Sequence, residues 1–247
     1  MAAIRPGLRA LFFDAGNTLL EINYAAIRDC LVSHGHRTEA EAVRHAEYLA
    51  RVKLDPHLAP WGSTEDRSIF RIYISYVLEG LGIEDPELIA RVTKELREYN
   101  PPVGLWNVPH PEAKRLLEDL AGNGFQVGVI SNSNGSVRSI LEATGLAPSL
   151  RFVLDSAVVG VEKPHPKIFR LALDEAGVEP HEAVYIGDLY SVDVLGARGV
   201  GMQAVLLDPI GAWGQVDCSR AHTLSQAVDL AIGGNEQSGG ALWTPSR

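Results

Sequence analysis

Cysteine is scarce in this chain, with Cys30 and Cys218 the only two among 247 residues. Two thiols make no disulfide framework and no metal-ligand spacing, and they fit a reducing compartment. Basic charge is short as well: 22 Lys and Arg face 31 Asp and Glu, for a net charge of −9. That balance argues against a nucleic-acid partner, which needs a basic face. An anionic small molecule stays possible where local cations or a metal reverse the field. Long apolar runs are missing too. The run that follows Arg5 and Arg9 stops at Asp14, too short for a signal-peptide core, and no stretch is long enough to span a bilayer. The expectation is a cytoplasmic protein with no membrane partner.

What is present is ordinary core material. Apolar residues make up 46% of the chain and the mean hydropathy is +0.01, as in a globular protein with a real interior. The length allows one large domain, or a core with a modest second domain.

Residues 8–13 read as a strand apolar on both faces, suited to the centre of a parallel sheet. It delivers Asp14 into the turn Ala15-Gly16-Asn17. A lone acid there is either a turn or cap residue, or chemistry placed beyond the carboxyl ends of the strands, where open α/β sheets bind ligands. From about Tyr24 to Tyr99 apolar residues recur at spacings of three and four. The pattern predicts about four amphipathic helices, with breaks at 34–36, 55–63 and 82–86. Ser63 to Asp66 reads as a helix start, and Asn100-Pro101-Pro102-Val103-Gly104 as a stiff boundary.

Beyond that boundary βα repeats follow. Strands are expected at 125–130, 152–154, 183–186 and 203–207, with helices at 111–120, after Gly135, from Lys163-Pro164 to Ala176, and to about Arg198. Alternation of this kind implies a mainly parallel, doubly wound, Rossmann-like α/β sheet covered on both faces. The expected division is a core of residues 1–22 and 102–232, a helical cap of 23–101, and a flexible tail of 233–247 whose Leu242 and Trp243 read as solvated.

Four polar sets then stand in equivalent places. Asp14 follows one strand, Ser131-Asn132 a second, Lys163 precedes a helix, and Asp188 follows a further strand. Each alone has an ordinary reading as cap or surface residue. Their joint occurrence at one edge of a doubly wound sheet is the signal.

On these residues the chain resembles the haloacid dehalogenase-like hydrolases, in the branch with a helical cap after the first motif. Phe13-Asp14-Ala15-Gly16-Asn17-Thr18-Leu19 matches the nucleophile motif, Ile130-Ser131-Asn132-Ser133 the second, Lys163-Pro164-His165-Pro166-Lys167-Ile168-Phe169 the lysine motif, and Gly187-Asp188 through Asp193-Val194-Leu195-Gly196-Ala197 the acidic fourth. The resemblance implies that Asp14 attacks an electrophile to give an aspartyl intermediate. It implies Mg²⁺ held by Asp14, the carbonyl of Gly16 and Asp188, with Asp193 behind. Ser131, Asn132 and Lys163 would then hold the substrate's oxygens and balance charge.

Gly16 departs from the family pattern. Phosphatases of the superfamily usually carry there a second aspartate that protonates the leaving group, a contribution of ~10²–10⁴-fold. Three readings follow. One is a Mg²⁺-dependent phosphohydrolase on a small anionic metabolite, slow or restricted to leaving groups that need little protonation. The second is carbon chemistry, as in a metal-free 2-haloacid dehalogenase; a Schiff-base enzyme of the family needs a cap lysine, and Lys53 and Lys94, the two in the cap, read as solvated surface residues. The third is a decayed fold kept for binding. Asp188 favours the first, since the dehalogenases place serine and asparagine in that motif. Arg28, Trp61, Arg67 and Arg71 are candidates to meet the substrate's distal end, while His34, His36 and His57 read as surface residues.

Overall fold

The computed structural model describes residues 5–58 and 66–233. Strand β1 (Ala10–Phe13) is buried along its whole length, because both of its faces are covered. Ala10 and Phe12 point into one apolar layer and Leu11 and Phe13 into the other, as the two-residue period of a strand requires. Four fully buried side chains in a row explain why this short strand sits in the middle. A buried Phe alone contributes about 1.5–3 kcal/mol.

After β1 the chain makes a short strand β2 (Leu20–Ile22) and enters four helices: α1 (Tyr24–Ser33), α2 (Ala40–Leu58), α3 (Arg67–Gly80) and α4 (Pro86–Arg97). It returns through β3 (Trp106–Pro109), antiparallel to β2, with Leu20 opposite Pro109 and Ile22 opposite Trp106. The helices bury their apolar stripes against one another, in a cluster that includes Ile27, Leu31, Val43, Ala50, Val77 and Val92. Asn23, Asp66 and Asp85 cap α1, α3 and α4 through their side-chain oxygens, satisfying backbone N–H groups that a helix start leaves open. Helix α2 runs past the expected break at Pro56 to Leu58. Pro56 falls in the last turn, so the N–H bond it forfeits and the carbonyl its ring crowds both lie at the end of the helix.

The remaining elements are α5 (Ala113–Gly122), β4 (Gln126–Ser131), α6 (Val137–Ala143), β5 (Phe152–Asp155), the single turn α7 (Ser156–Val159), α8 (Pro166–Ala176), β6 (Ala183–Gly187), a π-helical turn at Tyr190–Val194, α9 (Leu195–Arg198), β7 (Gln203–Leu207), β8 (Ser219–Ala221) and α10 (Leu224–Gly233). The sheet order is β5-β4-β1-β6-β7-β8, and every described pairing in it is parallel. The fold is the α/β doubly wound sheet expected from the βα repeats. The sequence reading missed the β2–β3 ribbon and β8, whose three or four residues are too few to establish a period. The order reverses at β1, so a crevice opens there beyond the carboxyl ends of the strands.

Among the described residues no helix is long and apolar enough to cross a membrane. Ser63, Leu242, Trp243 and the tail from residue 234 lie outside the described residues.

Candidate active site

Register brings the four polar sets together. Phe13 pairs with Val129 on one side and Ile186 on the other. The next residue, Asp14, is therefore level with Ile130 and Gly187, one step short of Ser131 and Asp188. Lys163 reaches the same point from the loop before α8. Its backbone is pinned by Asn132, which accepts from Lys163 N–H at 2.7 Å and donates to the Lys163 carbonyl at 2.9 Å. Asn132, expected at the substrate, lines the cavity and also positions the lysine through its carboxamide.

The Lys163 ammonium donates to Asp14 Oδ1 at 2.7 Å, Asp193 Oδ1 at 2.8 Å and the Tyr185 hydroxyl at 2.9 Å. Tyr185 passes its own proton to the Ile130 carbonyl at 3.0 Å. Burial alone would lower the Lys163 pKa, but the two carboxylates outweigh it and hold the ammonium above its ordinary range. Asp193 sits on the π-helical turn and folds back, accepting from the backbone N–H groups of Asp188 and Leu189 at 3.1 and 2.9 Å. Glycine at 187 makes this possible: a Cβ there would stand 2.4 Å from the Asp193 carboxyl carbon.

Asp14 and Asp188 carry the electrostatic tension of the site. Burial pushes the Asp14 carboxyl up to about 6 against the pull of Lys163, and Asp193 pushes the same way. Burial also drives Asp188 well above the carboxylate range; Arg51 opposes this, and Asp14 and Asp193 add to it. One carboxylate oxygen from each of Asp14, Asp188 and Asp193 lies within 4.8 Å of the others. Buried hard oxygen donors with surplus negative charge suit a divalent cation such as Mg²⁺. Ser131 is buried at the same edge, and its hydroxyl makes only a 3.4 Å contact with the Asn132 carbonyl.

The helical insert closes the crevice into a cavity of about 320 Å³. Arg51, from α2, is 3% exposed and ties Glu47 in a bidentate pair at 2.6 and 2.5 Å. Its remaining Nη1 has no hydrogen-bond partner and lies 3.6 Å from Asp188 Oδ2. Tyr24 and Tyr73 complete the Glu47 shell at 3.2 and 2.5 Å. Asp55, one turn further along α2, accepts from the Ser191 N–H and hydroxyl at 2.9 and 2.8 Å, fastening the helix to the π-helical turn.

Gly16 lines the cavity beneath the Trp106 indole. That ring donates to Asn17 Oδ1 at 2.9 Å, which turns the Asn17 amide N–H₂ toward Asp188 Oδ2 at 3.4 Å. The indole can only donate, so the orientation of Asn17 is fixed by chemistry. Of the cations expected at the distal end, Arg28 pairs with Asp29 at 2.7 Å and Arg71 is exposed; neither lines the cavity. Trp61 and the Arg67 side chain lie outside the described residues. Lys53 pairs with Glu79 on the surface, and Lys94 is exposed, so neither reaches the cavity. Arg51, Phe70, Tyr73, Arg97 and Trp106 are among the residues that line it from the insert side, and none stands out in the sequence as a site residue. They belong to the same helical stripes and short strand as ordinary core residues.

The model for haloacid dehalogenase-like hydrolases matches residues 8–201. The chain belongs to that family. It is 30% identical over 212 residues to haloacid dehalogenase-like hydrolase domain-containing protein 3 of Bos taurus, covering 83% of this chain and 84% of that protein. Family relatives split in chemistry. An (S)-2-haloacid dehalogenase 4A of Burkholderia cepacia is 29% identical over 213 residues, 83% of this chain and 84% of that one. A glyceraldehyde 3-phosphate phosphatase of Methanothermobacter thermautotrophicus is 28% identical over 233 residues, 91% and 95% of the two chains. A crystal structure of a dehalogenase shares the fold at a TM-score of 0.62 and 22% identity, over 94% of this chain and all of that one. As a member of this family the protein is a hydrolase.

Proposed function

We propose that this hydrolase is a phosphohydrolase acting on a small phosphorylated molecule, with Asp14 as nucleophile. The observation that carries the reading is Asp188. A buried carboxylate whose charge Arg51, at 3.6 Å, only partly balances is costly unless a further cation serves it, and phosphoryl transfer is a chemistry that uses one. Mg²⁺, held by Asp14, Asp188 and the backbone carbonyl of Gly16, would neutralise phosphoryl oxygens as charge builds on them.

The chain's own residues supply the rest. Lys163 holds Asp14 ionised and aimed, and offsets the negative charge that accumulates when a dianion enters. Asn132 and Asp193 are positioning residues that fix Lys163 from its backbone and from its head. Ser131 presents its hydroxyl to a phosphoryl oxygen. The insert, docked through Asp55 and Ser191, excludes bulk water from the nucleophile.

A second reading, hydrolysis of a carbon–halogen bond, draws on Gly16, since a departing halide needs no proton. One panel separates the two. Aryl phosphates, acyl phosphates and 2-haloacids are assayed with EDTA and with Mg²⁺, alongside thermal melts. The phosphohydrolase reading expects phosphate turnover that EDTA suppresses and Mg²⁺ restores, and a melting temperature that rises with Mg²⁺. Haloacid turnover indifferent to EDTA would replace it with the dehalogenase reading. Turnover of nothing in the panel would point to a binding role.

A further inference from the structure

The position two residues after the nucleophile lacks a side chain, and an indole packs closely over it. A Cβ on Gly16 would meet the Trp106 indole, with Cδ1 at 3.3 Å, Nε1 at 3.6 Å and Cγ at 3.7 Å. The first contact is tighter than ordinary packing, so a side chain at 16 needs the ring to give by a few tenths of an ångström. The ring is not free to yield. Its N–H is bonded to Asn17, its face stacks on Tyr73 at 5.9 Å and 22°, and its backbone belongs to β3. Tyr73 is held in turn by Glu47.

The cavity is therefore two-sided. One side carries the acids, Lys163 and Ser131. The other is a wall of Trp106, Tyr73, Phe70, Ile69, Leu96 and Leu105, with the guanidiniums of Arg51 and Arg97 beside it. Nothing on that wall exchanges a proton near neutral pH. The Tyr73 phenol is held well above its ordinary range, by burial first and Glu47 second. An in-line displacement by Asp14 sends the leaving group away from the nucleophile, toward the side not occupied by the acids.

Resting on the phosphohydrolase reading, we propose that the Trp106 wall commits this site to aryl phosphates: leaving groups that are flat, apolar and stable as anions. The Asp14 carboxylate forms a bond to phosphorus while the aryl O–P bond breaks. The electron pair departs on the phenoxide oxygen, which takes its proton from water outside the cavity. Water then attacks phosphorus, the Asp14–phosphorus bond breaks with its pair returning to the carboxylate, and both water protons leave on dihydrogen phosphate. No step calls on an acid at position 16. A cavity of about 320 Å³, at the small end for ligand sites, admits one ring with its phosphoryl group.

The test uses the full chain with saturating Mg²⁺. Substituted phenyl phosphates spanning a range of phenol acidity are compared with benzyl and cyclohexyl phosphate, which are apolar but leave as alkoxides. The expected result is kcat/KM rising steeply with phenol acidity, and the two alkoxide esters at least ~10²-fold below phenyl phosphate. Binding is read separately by tryptophan fluorescence with phenylphosphonate and methylphosphonate. The phenyl compound should bind several-fold tighter, and Trp106→Leu should remove most of that preference, as loss of one ring contact predicts. Trp106→Phe, which keeps a ring, guards against misfolding of the leucine variant and should retain the preference. Alkoxide esters turned over within tenfold of phenyl phosphate would overturn the proposal and leave the phosphohydrolase reading standing. No turnover of any phosphate, with phenylphosphonate still preferred through Trp106, would overturn the phosphohydrolase reading and leave aryl recognition standing. Equal binding of the two phosphonates would overturn the wall itself.

Discussion

Two buried charged clusters meet at the cavity, and each is the other turned inside out. In the core, an ammonium (Lys163) is ringed by two carboxylates and the phenol of Tyr185. In the insert, a carboxylate (Glu47) is ringed by a guanidinium and the phenols of Tyr24 and Tyr73. The insert cluster closes on itself, with both Glu47 oxygens bonded and one Arg51 nitrogen left over. The core cluster does not close. Asp188 stands beside it with an amide at 3.4 Å and that spare guanidinium nitrogen at 3.6 Å. A satisfied cluster fixes geometry, because any change in it strands a buried charge. A cluster with surplus charge is poised to bind. The same kinds of side chain thus serve structure in one place and chemistry in the other.

The sharpest way to break the comparison is Asp14→Asn. Turnover should disappear, as for removal of any covalent nucleophile, while the chelator-treated protein should become more stable. The sign follows from a folded-state pKa of about 6 against the ordinary value of 3.8. Folding favours the protonated carboxyl, so Asp14 stabilises the fold below about pH 4, and that contribution is lost as pH rises through 6. At pH 7.5 the asparagine variant should melt higher, with the gain, on the order of 2–3 kcal/mol at most, vanishing toward pH 4. A variant that is less stable at neutral pH would mean the carboxylate is well served by Lys163 alone.

Lys163→Met tests the same cluster from its centre. It leaves Asp14 and Asp193 buried without their cation, so it should cost about 3–5 kcal/mol and lower turnover at least ~10³-fold; denaturant melts and kcat measure both. Glu47→Gln is the matching change in the insert. A stability loss of about 3 kcal/mol is expected, with kcat reduced less than tenfold. A larger loss of kcat than of stability would show that the insert cluster is chemical after all. Smallest of all, Ser191→Ala removes the hydroxyl bonding to Asp55 that helps fasten α2 to the core, leaves the backbone N–H bond, and should cost about 1 kcal/mol. Its signature is a raised KM with little change in kcat.

The core half of this comparison was legible in the sequence and the insert half was not. Asp14, Ser131 and Asp188 each end or follow an apolar run, so strand period and parallel topology carry them to one edge, while Lys163 is marked by its place before a proline-led helix. Arg51 and Glu47 sit four apart on a helix, the spacing of an unremarkable surface pair. Only the fold reveals that both are buried and that the guanidinium faces Asp188. Trp106 is harder still: it lies 90 residues after Gly16 (106 − 16) and reaches it through a four-residue strand with an irregular register. The absence of an acid at position 16 could be read from the chain. The indole that stands there instead could not, since no local pattern links the two positions.

The β2–β3 ribbon has a consequence for how such a molecule can be rebuilt. Residues 23–105 depart and return at adjoining points, with Leu20 facing Pro109 and Ile22 facing Trp106. Seen from the sheet, that whole excursion is one long hairpin loop, and the entropy of closing a loop grows only slowly: doubling its length adds about 0.6 kcal/mol. In closure entropy the parallel sheet is thus nearly indifferent to the length threaded between those two strands. Recombination at this doorway offers a route to graft one molecule's selectivity onto another's reaction centre, provided the indole at the threshold travels with the graft.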